Sequence, residues 1–301
     1  MREAGMADQD RGEVKQLGDV RREIDAIDAQ MHGLLMERTE LVRQVAEAKA
    51  QAASDAGEGS FIAFRPGREA EVLRALAARH QGPLPLAVIF RLWREIMSAK
   101  TRLQGPLRVE VFGGADPLRL WDLARGYYGS FTPMNLREEA MDVLRRVSKD
   151  RSVIGVLPAP QPDDGDAWWA MLGRGDTAPV RVVACLPFLT EEGVLPEAYA
   201  VAQADFEETG ADTSLVVLTF SEAVSAGAVE AQLQEAGLAG TLYLRKEQNG
   251  QYYALIGLTG FISAGDGRLE TLYNQDGIDG VQLIGGYADP VRLAGCLEKG
   301  E

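Results

Sequence analysis

The chain has 301 residues, more than one domain usually holds, with 46% hydrophobic and 25% charged residues. That composition excludes the disordered and membrane-spanning classes and points to two or three packed units. A formal net charge of -14 argues against nucleic acid and anionic lipid as partners, because a phosphate-binding surface needs an excess of clustered lysine and arginine. Small molecules or other proteins remain, and an anionic ligand would need a local cluster of arginines inside a globally repulsive field.

Residues 1–16, MREAGMADQDRGEVKQ, carry no apolar stretch behind their charges and read as a solvated tail, not an export signal. From Leu17 the apolar residues Leu17, Val20, Ile24, Ile27, Met31, Leu34, Leu41, Val45 and Ala48 recur at three-four spacing. This is a long amphipathic helix whose stripe is expected to bury against partner helices or a second subunit. The segment SDAGEGS breaks the pattern, and Pro66 suits the first turn of a second helix running to about His80. A third helix is expected from Leu86 to Leu103, with Val88, Ile89, Leu92, Trp93, Ile96 and Met97 on its apolar face and Gly105-Pro106 ending it. Residues 17 to 104 thus read as a three-helix unit.

Beyond Pro106, the β-branched runs RVEVF, SVIGVLP and VRVVACLPF alternate with helical stretches at 117 to 128 and 135 to 148, which implies an α/β lobe over 107–211. From Thr213 a βαββαβ series follows: TSLVVLTF, a helix over Ala223 to Ala236, GTLYLRK, QYYALIGLTG, a helix over Gly267 to Asn274, and GVQLIGGY. Asn249-Gly250 between the middle strands predicts a tight hairpin, since both residues tolerate positive φ. The third unit spans 212–301 and includes a C-terminal tail. Cys185 and Cys296 fall in segments that read as a buried strand and a terminal helix, which suits reduced thiols in the cytoplasm.

Two cations stand out on the long helix. The heptad that sets Leu17, Ile24, Met31 and Val45 on one seam also sets Arg38 there, and burying an unpaired charge costs several kcal/mol. Arg38 therefore needs an anion: either a carboxylate such as Glu37 or Glu40, or a ligand. Lys49, eleven residues on, returns to within about 20° of the same direction and lies roughly 16 Å along the axis, leaving room for a small dianion if it is not simply exposed. Arg21 points about 100° away and could serve only a neighbour's pocket.

The segments VRREIDAIDAQMHGLLMERTELVRQVAEAK, FRPGRE and LWREIMSAKTRLQ together resemble the helical chorismate mutases, above all those fused to prephenate dehydratase. The resemblance covers residues 17 to 104 and implies an intertwined homodimer. It assigns carboxylate binding to Arg38 and Arg68, with Arg21 supplied by the second subunit. Lys49 and Gln104 match the donors to the ether oxygen, and Glu69 matches the carboxylate that contacts the substrate hydroxyl. Lys100 stands where a serine is common, a departure that bears on substrate affinity. The implied reaction, chorismate to prephenate, is a concerted rearrangement that calls for no cofactor and no metal. His32 and His80 lie near no other ligand with metal-binding spacing.

Residues 107 to 190 resemble the first lobe of prephenate dehydratases only in VEVFGG and VIGVLPAPQ. Gln161 replaces the family's asparagine, and the G-T-F and T-R-F motifs are missing, so no dehydratase activity is expected. Residues 213 to 290 resemble ACT domains in their element order and in VQLIGGYADP. The loop SAGAVEAQL is compatible with an aromatic amino-acid effector, whereas YLRKE stands where an effector-binding motif would be. Trp168-Trp169 and Gly113-Gly114 read as core packing and a strand end. Two other readings follow from the same residues: a bifunctional mutase and dehydratase, and a regulatory protein that senses amino acids without catalysis.

Overall fold

The computed structural model describes residues 16–55, 64–114, 116–162, 165, 167–173 and 179–293. It divides into two compact units, residues 1–60 and 61–301.

Among the described residues the first unit contributes one helix, α1, Leu17–Asp55, 39 residues long. Its sequence is dominated by alanine, leucine, glutamate and arginine and has no proline to interrupt it. Side-chain pairs three and four residues apart line its surface, Arg22 with Asp19 and Arg43 with both Glu40 and Glu47. The apolar stripe lies open in the single chain: Ile24, Met31, Leu34 and Leu41 are each more than half exposed. Stability of so long a helix normally comes from packing an amphipathic face.

In the second unit, α2 (Pro66–Arg79) and α3 (Leu86–Gln104) begin as the prolines predict. They bury Leu73, Leu76, Phe90 and Met97 in one core with Val109, Val111, Tyr127 and Tyr128. Those partners belong to β1 (Arg108–Phe112) and α4 (Pro117–Tyr128), so the second and third helices share their core with the α/β region. The expected apolar face of α3 requires correction. Val88 and Leu92 are exposed, while Phe90, Arg94, Met97, Ser98 and Thr101 are buried. The helix is rotated because Arg94 finds a carboxylate and an aromatic ring in the interior, as described below.

The chain continues as β2 (Met134–Arg137), α5 (Ala140–Val147), β3 (Val153–Pro158), β4 (Arg181–Leu186), β5 (Leu189–Glu191) and β6 (Ala198–Ala202). The helix expected over 135 to 148 is thus a strand followed by a shorter helix: Met134 to Arg137 pair in parallel with β1, and Arg137 donates to the buried Glu110 carboxylate from that register. Trp168 and Trp169 sit in a buried 3-10 turn. The next six elements are β7 (Asp212–Phe220), α6 (Ala226–Glu235), β8 (Gly240–Gln248), β9 (Gln251–Thr259), α7 (Gly267–Tyr273) and β10 (Gly280–Ala288), in the βαββαβ order of the sequence. A last strand, β11 (Val291–Leu293), pairs with β5.

All the longer strands join one nine-stranded sheet in the order β2-β1-β3-β6-β4-β10-β7-β9-β8. Its final four strands are antiparallel neighbours. The β8–β9 hairpin closes through Asn249 and Gly250 at φ 55° and 76°, the conformation a two-residue hairpin loop requires. The continuity between the two strand series rests on a single register pair, Gly285 with Val182. Gly285 has φ 118°, and a Cβ there would lie 2.1 Å from the Val182 carbonyl oxygen, so only glycine fits.

Cys185 is buried in β4 with its thiol pushed up to about 12 by burial, while Cys296 and the helix expected around it lie outside the described residues. Among the described residues no helix is long and apolar enough to cross a membrane.

Candidate active site

On α1, Arg38 and Lys49 are half-buried, whereas Arg21 is exposed. Of the two carboxylates expected to pair with Arg38, Glu40 is engaged elsewhere: it accepts from Arg43 at 2.7 and 3.0 Å and from Gln44 at 3.3 Å. Those hydrogen bonds hold the Glu40 carboxyl at about 2. Among the described residues no hydrogen bond or ion pair reaches the Arg38 guanidinium.

In the second unit, α2 and α3 carry Arg68, Glu69, Lys100 and Gln104. Arg68 is exposed and pairs with Glu71 at 2.7 Å, a contact that solvent keeps weak. Glu69 is buried, and its carboxylate accepts from Arg94 Nη1 at 2.9 Å. Burial pushes the Glu69 carboxyl up, against the pull of the Arg94 and Lys100 charges. Lys100 and Gln104 are both half-buried and stand one turn apart on α3, so they share a face. Lys100 thus adds positive charge beside Glu69 where a serine would add none.

Two residues that hold this region were not found from sequence. Arg94 is one. Its guanidinium carbon lies 3.5 Å from the centre of the Tyr127 ring, whose hydroxyl is pushed up to about 12 by burial. The signal was available, since Arg94 falls in step with Phe90, Met97 and Thr101 at helical spacing, as Arg38 does with its own seam. The other is Glu207, beyond β6. One carboxylate oxygen accepts from the Arg65 side chain, and the other accepts from the Arg68 backbone N–H at 3.3 Å, capping α2. A Cβ on Gly67 would lie 2.7 Å from that of Glu207, so glycine in the P-G-R-E run makes room for the cap. Arg74 binds the same helix to the sheet, donating to Thr209 Oγ1 at 2.7 Å and to the carbonyls of Ala211 and Asp289 at 2.5 and 2.7 Å. No local pattern could announce Glu207, because its partners lie about 140 residues away in sequence.

Residues 20–105 match the family chorismate mutase type II. That stretch is a chorismate mutase domain. The chain is 34% identical over 164 residues to a bifunctional chorismate mutase/prephenate dehydratase of Pseudomonas aeruginosa, an alignment covering 53% of this chain and 42% of that protein. It is 39% identical over 101 residues to the same kind of enzyme from Stutzerimonas stutzeri, covering 34% of this chain and 27% of the relative. The chain therefore spans less than half the length of these relatives. The longer alignment exceeds the mutase match, so likeness to the bifunctional enzymes continues into the sheet-rich region. Among solved structures, a prephenate dehydratase from Arthrobacter aurescens in complex with L-Phe covers 62% of this chain and 93% of its own, at 14% identity and TM-score 0.43.

Proposed function

We propose that the chain rearranges chorismate to prephenate for aromatic amino-acid biosynthesis. The mutase-family match over residues 20–105 carries the reading. The reaction breaks a carbon–oxygen bond as a carbon–carbon bond forms, with no nucleophile, acid or metal, so the protein has only to hold and stabilise. Arg38 and Arg68 bind the two carboxylates, with Arg21 added from a second copy, and fix the compact conformer that brings the reacting carbons together. Lys49 and Gln104 donate to the ether oxygen as negative charge grows on it, which stabilises the transition state more than the substrate. Glu69 meets the substrate hydroxyl. Lys100 tunes affinity by its charge beside Glu69.

The active form in this reading is a cytoplasmic homodimer that covers the open stripe of α1. The βαββαβ series over 212–301 is an ACT-like module, a candidate receptor for an aromatic amino-acid effector. The region over 107–211 is a degenerate dehydratase-like lobe without dehydratase activity.

The test is loss of chorismate absorbance with the purified full chain, beside Lys49→Ala and Arg38→Ala, with the product assayed for phenylpyruvate. We expect prephenate alone from the wild type and a rate about a hundredfold lower in each variant, equivalent to about 3 kcal/mol. A folded, dimeric wild type that leaves chorismate untouched would overturn the assignment and favour an amino-acid sensor.

A further inference from the structure

A cavity of about 490 Å³ lies in the second unit between α3, α4 and the segment joining β4 to β5, within the size range of small-molecule sites. It is lined by none of the residues assigned to the mutase reaction. Three rings, Phe90, Tyr127 and Phe188, line its wall, with Phe90 and Phe188 stacked at 6.4 Å between centroids.

Its charges are unevenly committed. Arg119 donates twice to Glu197, at 2.8 and 2.6 Å, and those two neutralise each other. Arg94 reaches the cavity from a side chain only 5% exposed. Its Nη1 serves Glu69, but its Nη2 has no hydrogen-bond partner among the described residues, a costly condition for a buried guanidinium. Arg91 lies one turn closer to the start of α3 and over α4, its Nη1 3.1 Å from where a Cβ on Gly126 would stand. Among the described residues it makes no hydrogen bond or ion pair. The remaining lining acid, Asp122, is exposed to solvent.

We infer that this cavity binds a small aromatic carboxylate, its ring among Phe90, Tyr127 and Phe188 and its carboxylate between Arg91 and Arg94. Aromatic walls recognise the ring by stacking. A carboxylate matches the planar donor array of a guanidinium better than any neutral group, and it would give Arg94 Nη2 the acceptor it lacks. Because the same guanidinium holds Glu69, the occupant and the α2 carboxylate draw on one side chain. The site itself does not depend on the chain being a mutase.

Calorimetric titration of the full chain with 3-phenylpropionate tests this, with phenethylamine as the control of opposite charge. We expect saturable binding of the acid and none of the amine. Arg91→Ala should weaken binding about tenfold, the loss of one charge-assisted contact. Gly126→Leu should abolish it by filling the space, while the longer side chain in a helix interior leaves the fold intact by circular dichroism. Lys49→Ala should bind as wild type does, because α1 is not part of the cavity. The proposal is overturned by absence of saturable binding, by equal binding of the amine, by variants at 91 and 126 that bind like wild type, or by loss of binding in Lys49→Ala.

Discussion

The helix α1 and the pair α2 and α3 belong to one family match, yet they are stabilised in opposite ways. In α1 the apolar residues are exposed and the side-chain pairs are local, each closing within four residues. In α2 and α3 the apolar residues are buried and the decisive polar contacts are distant: Glu69 with Arg94, Glu207 with the start of α2, and Arg74 with the sheet. Family membership therefore does not dictate how each helix is supported. The apolar face of α1 is exposed, whereas α2 and α3 are anchored to the α/β region.

That contrast can be broken at four points, taken from the largest effect to the smallest. Arg94→Ala leaves Glu69 as an uncompensated buried charge and should cost about 3–5 kcal/mol, read as a lower midpoint in urea. Unchanged stability would mean that the buried pair does not hold α3. Met31→Glu places a carboxylate on the open seam of α1 and should weaken a dimer by about 1–3 kcal/mol per protomer. Sedimentation velocity would show dissociation, and an unaltered dimer would put the interface elsewhere. Glu207→Gln removes the charged cap from α2 and should cost about 1 kcal/mol. It should also raise KM for chorismate more than it lowers kcat, because Arg68 and Glu69 follow the capped turn; a KM unchanged beside a lower melting point would leave the cap a purely structural role.

The smallest effect concerns Glu40. Its carboxyl is held at about 2, below its ordinary 4.5, by Arg43 and Gln44. A carboxyl depressed by folding contributes stability that is present above pH 4.5 and fades as the pH falls towards 2. Glu40→Gln should therefore lower the helicity of α1 slightly at neutral pH, match wild type near pH 2, and lose its effect in 1 M salt, where the Debye length is about 3 Å. A difference that persisted in acid or in salt would assign the effect to helix propensity.

Much of this was legible because it is local. Helix starts at Pro66 and after Pro85, the βαββαβ order, and the Asn249-Gly250 turn are all dictated by neighbours in sequence. The strand β6 was not legible. Its run AYAVA is buried throughout and poor in β-branched residues, so it offers neither alternation nor strong strand propensity. Met134 to Arg137 form a strand because β1 pairs with them, an override that no helical or strand pattern within four residues reveals. The site divides the same way. The phase that Arg38 and Lys49 share on α1 is a local feature, readable from their eleven-residue spacing. Arg94 was legible only in retrospect, and Glu207 acts from so far along the chain that its role exists only once the fold has formed.

Gly285 makes the great sheet a joined object and not a woven one. On one side of it stand five strands and on the other four, each panel closed by its own ladder, with Gly285 opposite Val182 as the lone register pair across the joint. Any side chain at 285 would strike the Val182 carbonyl and prise the panels apart. What joins the panels is therefore side-chain packing more than main-chain pairing: Val182, Cys185 and Val201 on one side share a buried core with Leu215, Val217 and Ile284 on the other.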